Sequence, residues 1–218
     1  MAPRKVRNRT GTLLPTLHDQ KRAAYREAIL DAAERIFVRD GYQAAKMVEI
    51  AQATGVSVGT LYNYFDSKHS VFVALDVRHR ERYFQLLEAS CALGSPLDEL
   101  RTIVERTLTF VEQNRALIIM YFQHIVHLEP RGESSDDGPR LDPRPERLRL
   151  ATLISECLAR GAKQGLIRND IEIADLTFSL QSVIHATVLG WIENPPRPRL
   201  AHRADQIVKL FLEGASTP

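Results

Sequence analysis

The segment Val56-Ser57-Val58-Gly59-Thr60-Leu61-Tyr62-Asn63-Tyr64-Phe65-Asp66-Ser67-Lys68 constrains what this chain can fold into more than any other. Ser57 is placed to cap a helix, its hydroxyl oxygen accepting an otherwise orphaned backbone N–H. Leu61 and Phe65 stand four residues apart and share one helical face. Thr60, Tyr62, Asn63 and Tyr64 fall outside that stripe. The helix therefore gains little from packing and holds hydroxyls, an amide and aromatic edges outward. A second short amphipathic helix, about Met47 to Thr54 with Met47, Ile50 and Ala51 inward, precedes it across Gly55. Two short helices joined by a glycine turn make a helix-turn-helix, whose second helix enters the DNA major groove.

Helical periodicity runs through the rest of the chain, and no stretch alternates with the period of a strand over a useful length. The expected fold is all-α, with about nine helices. Helix one runs from near Gln20 to Arg39, burying Ile29, Ala32, Ala33, Ile36 and Phe37, and Gly41 ends it in a left-handed conformation. Ser67 caps a long helix four that reaches about Ala92. Its inward positions are Val71, Phe72, Leu75, His79, Tyr83 and either Leu86 or Leu87. Ser95 and Pro96 start helix five, lined by Leu97, Leu100, Val104, Leu108 and Val111, and Asn114 interrupts it. Helix six, Ala116 to Leu128, is apolar on most sides. Residues 129–146 hold prolines, glycines and paired serines and aspartates, the composition of a loop. Helix seven ends at Gly165, helix eight precedes Pro195 and Pro196, and helix nine covers about Leu200 to Glu213. The expected organisation is a basic arm over residues 1–19, a helix-turn-helix domain over 20–66, and a helical ligand-binding and dimerisation domain over 67–218.

A formal charge of +2 is too small to prove a nucleic-acid partner, so its distribution matters more. Arg4, Lys5, Arg7 and Arg9 form a tail with no acidic residue before Asp19. It is either a solvated disordered tail or an arm that lies along phosphates or in a minor groove. No apolar run is read as long enough to cross a bilayer, so no membrane partner is expected. Cys91 and Cys157 lie far apart and suggest ordinary thiols in a reducing, cytoplasmic setting. Gly-x-Ser-x-Gly, Gly-x-Gly-x-x-Gly, P-loop and zinc spacings do not occur, so an enzyme is not expected, and neither is a cofactor.

Residues Arg26 to Ala33, Phe37, Gly41-Tyr42, Ile50-Ala51 and Gly55 to Lys68 closely resemble the N-terminal domain of TetR-family transcriptional regulators. The resemblance covers about residues 22 to 75. The family usually has threonines where this chain has Ala45 and Lys46, one of which starts helix two and touches a phosphate. Lys46 can supply that contact by charge, but the cap is lost. His69 stands where the family favours Glu. The resemblance implies that Val58, Gly59, Thr60, Tyr62, Asn63 and Tyr64 face double-stranded DNA. By chemistry, Thr60 can bond a base or phosphate, Asn63 can pair bidentately with adenine, and the tyrosine hydroxyls can donate to phosphates. Tyr62 can instead be a packing partner for helix one. Lys68, at a helix N-terminus where a cation opposes the dipole, is expected to point at a phosphate.

The resemblance further implies a homodimer on a palindromic operator, with helix four as a lever and a small-molecule cavity among helices four to eight. Helices eight and nine carry more apolar surface than one side needs. They are either a buried pair within one subunit or a face that meets its own copy. The family favours the second, which points to Leu180, Ile184, Trp191, Ile207 and Phe211. Polar groups in apolar helices, namely Tyr121, Gln123, His124, His127, Gln181 and His185, are candidate effector contacts. His124 and His127 lack a clear third ligand, so no metal is expected. The run Gly165 to Asp170 and then Gly190-Trp191-Ile192 is similar to family members that regulate fatty-acid metabolism and bind acyl-CoA thioesters. That subgroup implies an acyl tunnel along residues 117–126, with Arg78, Arg82 or Arg147 near its mouth. The resulting expectation is a ligand-released repressor with a hydrophobic effector, an acyl-CoA in that subgroup. The alternative is a DNA-bound protein acting through a protein partner.

Overall fold

The computed structural model describes residues 16–89, 94–126, 144–194 and 199–215; the side chains of 121–126, 144–147 and 215 are not described. Among the described residues there are nine α-helices, one short 3-10 helix and no strand. The helices are α1 Leu17–Ala44, α2 Met47–Thr54, α3 Val58–Tyr62, α4 Lys68–Glu88, α5 Pro96–Gln113, α6 Arg115–Val126, α7 Arg144–Lys163, α8 Ile173–Glu193 and α9 Ala204–Ala215. The all-α expectation is met. Residues 1–15 of the arm expected over 1–19, residues 129–143 of the loop expected over 129–146, Cys91 and Pro195-Pro196 lie outside the described residues, while 17–19 and 144–146 belong to α1 and α7.

The chain divides into two compact units, one running through Asp76 and the other beginning at Val77. In the first, α1 starts at Leu17, three residues earlier than expected. Thr16 accepts the Asp19 N–H and the Asp19 carboxylate accepts the Thr16 N–H, a capping box that satisfies two orphan donors at once. Gly41 does not end the helix in the left-handed helical region. Its φ of 78° and ψ of 164° make a sharp break, beyond which one more turn follows to Ala44. The core of this unit is made by Ile29, Ala33 and Phe37 of α1, Ile50 of α2, Leu61 of α3, Phe65, and Val71, Phe72 and Leu75 of α4. The Phe37 and Phe72 rings meet edge to face at 6.2 Å.

The second unit packs α5, α7, α8 and α9 around one cluster that includes Leu100, Leu108, Ile154, Leu158, Leu180, Ile184 and Val208. Ser95 caps α5 by accepting the Asp98 N–H, with Pro96 in the first turn, as its sequence predicts. Tyr83 of α4 pairs with Thr107 of α5 at 2.8 Å. Leu87 and Phe84 are the buried residues late in α4, whereas Leu86 points out. Glu99 of α5 is a buried carboxylate, and the Arg160 guanidinium of α7 grips both of its oxygens. That pairing offsets the desolvation that would make a lone buried charge costly.

Two expectations for α8 and α9 are corrected. Leu180, Ile184, Trp191 and Ile207 are buried inside the unit's own core, and Phe211 is packed against it. Leu180, Ile184, Trp191 and Ile207 therefore serve this core, while Phe211 stays half-buried. A helix apolar on most sides carries no sequence signal for which side turns inward, and here the inward stripe is Leu176, Thr177, Leu180, Ile184, Val188 and Trp191. The outward side of α8 carries Phe178, which is 71% exposed, with Ser182, His185 and Ala186; Leu210 of α9 is 65% exposed. By length and composition α8 is also apolar enough to cross a bilayer, contrary to the expectation that no run is. Its inward stripe instead packs against protein.

Candidate nucleic-acid interface

Local capping builds the helix-turn-helix. Lys46 is the N-cap residue of α2 and offers no side-chain cap, consistent with the expected loss. α2 ends at Gly55, whose φ of 69° and ψ of 20° are the left-handed values that glycine adopts without penalty. The Val56 N–H reaches back to the Ala51 carbonyl at 3.1 Å, closing the turn. Ser57 then caps α3, accepting the Thr60 N–H at 3.0 Å. Leu61 and Phe65 are buried, as their spacing predicts.

The recognition helix is shorter than its sequence suggests. α3 has five residues and ends at Tyr62, with Asn63 as its C-cap and Tyr64 in the following turn. The Asn63 N–H is shared between the Gly59 and Thr60 carbonyls, which tightens this end. Gly59, Tyr62 and Asn63 are exposed together, Tyr62 at 47%. Val58 and Thr60 are half-buried, and the Thr60 hydroxyl lies 2.8 Å from that of Ser57. Lys46 is exposed at the start of α2. Tyr62 is exposed, and the packing on α1 that was the alternative for it falls to Tyr64, half-buried with its ring 6.5 Å from Tyr25. At Gly59 an added Cβ would meet only the Ser57 Oγ, at 4.0 Å. The fold leaves that space open, and the position has no positive φ that would require glycine.

Lys68 departs from its expected role. Its Nζ donates to the carbonyl oxygens of Tyr42 at 2.8 Å, Gln43 at 3.0 Å and Ala45 at 3.2 Å, and lies 4.6 Å from the Tyr42 ring centre. All three ammonium donors are used inside the unit, so the charge is not offered to a phosphate. Burial lowers its pKa from the usual lysine value. Sequence reasoning missed this because the partners lie 23 to 26 residues away.

The candidate effector contacts are less well placed. His185 sits on the exposed side of α8, and Gln181 is half-buried beside it. The side chains of Tyr121, Gln123, His124 and Arg147, and His127 altogether, lie outside the described residues. An open groove of about 430 Å³ runs along α7, lined by Leu153, Glu156, Cys157, Arg160 and Lys163. The Cys157 thiol there is pushed up to about 12, first by burial and then by the Glu99 carboxylate.

Residues 29–75 match the family described as bacterial regulatory proteins, tetR family. The chain is 21% identical over 197 residues to the fatty acid metabolism regulator protein of Bacillus subtilis, spanning 89% of this chain and 97% of that one. It is 33% identical over 125 residues to the transcriptional activator FasR of Mycolicibacterium smegmatis; these are 57% of this chain and about half, 54%, of FasR. Among solved structures, FadR from Bacillus subtilis in complex with stearoyl-CoA is similar at a TM-score of 0.64 and 20% identity, with 86% of this chain and 98% of FadR covered. That last likeness speaks to the fold. Together with the capped helix pair and its exposed Gly59–Asn63 face, the match shows that this chain carries, over residues 29–75, the DNA-binding domain of TetR-family transcriptional regulators.

Proposed function

We propose that the chain is a dimeric repressor that binds a palindromic operator and is released by a hydrophobic small molecule of the fatty acyl-CoA class. The observation that carries the DNA reading is the outward face of Gly59, Tyr62 and Asn63 beside fully buried Leu61 and Phe65. Asn63 reads adenine, the Tyr62 hydroxyl and Lys46 meet phosphates, and the open space at Gly59 lets a sugar or base edge approach the backbone. Val58, Thr60 and Tyr64 flank that face and shape it. One reading head offers few base contacts, so two act together on half-sites about one or more helical turns apart.

The second copy is taken by the outward side of α8 and α9 around Phe178 and Leu210. Exposed aromatic and leucine side chains of this kind mark interaction surfaces. The effector class is supported by the apolar α6 and by the names of the relatives in Bacillus subtilis, one of them solved with stearoyl-CoA. A ligand that binds one spacing of the two reading heads better shifts the population and frees the DNA. Such a protein works where the DNA is, in the cytoplasm.

The test is a mobility shift of the protein on the duplex from upstream of its own gene, followed by added palmitoyl-CoA and, separately, palmitate. A shift reversed by the thioester but not by the free acid supports the proposal. A shift that neither reverses sinks the acyl-CoA reading, and no shift at low salt sinks the DNA reading. FasR is named an activator, so a second reading is activation from the same DNA-bound dimer. A reporter behind that upstream duplex separates the two by the sign of its response to deletion of the regulator.

A further inference from the structure

We propose that Lys68 is a positioning residue of the reading head: its ammonium, bound to the carbonyls of Tyr42, Gln43 and Ala45, locks the first residue of α4 to the α1–α2 junction and fixes how α2 and α3 are presented. This rests on the reading of α2 and α3 as the DNA-contacting pair.

The carbonyls need a partner because of the break at Gly41. Beyond it only one turn of helix forms, and Ala45 and Lys46 are extended, with ψ of 135° and 142°. The helical ladder therefore stops, and the last carbonyls of α1 have no amide four residues on to accept from. Three of them converge on one point, where the tetrahedral ammonium of Lys68 fills all three at 2.8, 3.0 and 3.2 Å. Lys68 is also the first residue of α4, where the helix dipole disfavours a cation. The carbonyl oxygens, which carry the negative end of the last turn of α1, offset that.

The Tyr42 ring ties the same junction together. The Tyr42 ring lies 4.6 Å from the ammonium, 5.7 Å from the Phe37 ring and 5.2 Å from the Phe72 ring. Phe37 belongs to α1 and Phe72 to α4, so the same aromatic trio joins the two helices that the ammonium joins. Ala45, which supplies the third carbonyl, is buried and directly precedes Lys46, the N-cap of α2. The Lys46 carbonyl accepts the Glu49 and Ile50 N–H groups, and no side chain caps this end. The start of α2 is thus held through the chain one residue upstream, by Lys68. A displacement of α4 at its first residue is passed to the reading head at that point.

The test compares Lys68→Met, Lys68→Arg and, as a control at an exposed cation, Lys46→Met. Affinity is measured for the upstream duplex and for a scrambled duplex across a potassium chloride series. A positioning role predicts that Lys68→Met loses about tenfold on the upstream duplex, the size of one lost base contact. It also predicts little loss on the scrambled duplex and an unchanged salt slope. Lys68→Arg should not restore the preference, because a planar guanidinium cannot serve three converging carbonyls as an ammonium does. Lys46→Met should weaken both duplexes alike and lower the slope by about one.

A slope lowered by about one in Lys68→Met would overturn the proposal in favour of a phosphate contact. Equal loss on both duplexes at unchanged slope, or full rescue by arginine, would overturn it too. Amide hydrogen exchange at Glu49 and Ile50 in the DNA-free protein tests the anchor independently: it should quicken in Lys68→Met, and unchanged exchange contradicts the proposal. A wild-type chain that fails to prefer the upstream duplex would instead count against DNA reading itself.

Discussion

α3 and α8 each turn a full side away from the core of their unit, and the two exposed sides differ in kind. α3 and its C-cap show Gly59, Tyr62 and Asn63, groups that hydrogen-bond or leave room. α8 shows Phe178 among small and polar neighbours, Ser182, His185 and Ala186. The first side suits a polar, grooved partner read by directional bonds. The second suits a partner of its own kind, where one large apolar side chain meets small residues across a two-fold axis. The five residues of α3 bury one side chain, Leu61, with Val58 half-buried beside it, whereas the 21 residues of α8 supply one complete core stripe and more.

This contrast is open to direct attack. The largest expected effect belongs to the inward side of α8. Leu180→Ala should cost about 2–5 kcal/mol in urea unfolding, the range for a buried leucine, while folded protein associates as before. A loss of association without a loss of stability would restore Leu180 to the interface. Next comes Phe178→Glu, expected to cost about 2 kcal/mol or more in self-association, as an interface aromatic does. Analytical ultracentrifugation should find a folded monomer, and an unchanged dimer would move the interface elsewhere.

Asn63→Ala should then lose about 1–3 kcal/mol of preference for the upstream duplex over a scrambled one, with little change in thermal midpoint. Equal weakening on both duplexes would take Asn63 away from the bases. Gly59→Ala should leave thermal stability unchanged or slightly raised, because the Cβ has open space and a helical alanine is favoured over glycine. Its DNA affinity should nevertheless fall, and full affinity would mean that nothing approaches the backbone there.

One further effect depends on pH and belongs to the second unit alone. The folded Cys157 thiol is pushed up to about 12 from an ordinary 9.0, so above pH 9 the unfolded chain releases a proton that the folded chain keeps. Its contribution to stability is constant below about pH 9 and declines as pH rises toward 12. Cys157→Ala should flatten that decline in urea midpoints measured from pH 8 to 11, and an identical decline would remove the thiol as its cause.

The helix-turn-helix was legible in the sequence because its determinants are local. Ser57 caps within three residues, Gly55 turns within one, and Leu61 and Phe65 pair within four. The Thr16–Asp19 box is equally local, yet α1 was expected to begin later, at Gln20. What could not be read depends on distant partners. Lys68 looks like a free cation at a helix start until the Gly41 break brings the carbonyls of Tyr42, Gln43 and Ala45 to it. The inward side of α8 is set by what α5 and α7 present, and an amphipathic pattern blurred by apolar residues all round does not encode it. For the same reason Leu86 and Leu87 were equivalent in sequence, while the structure buries only Leu87.

The central claim, that the Gly59–Asn63 face reads DNA sequence, is tested most directly by one ratio. Fluorescence anisotropy at fixed salt gives the affinity of wild-type protein and of Asn63→Ala for the upstream duplex and for its scrambled counterpart. The account predicts a strong wild-type preference that shrinks by about tenfold or more in the variant, with scrambled-duplex binding unchanged. A wild-type protein that binds both duplexes equally, or a variant that keeps the whole preference, would contradict it.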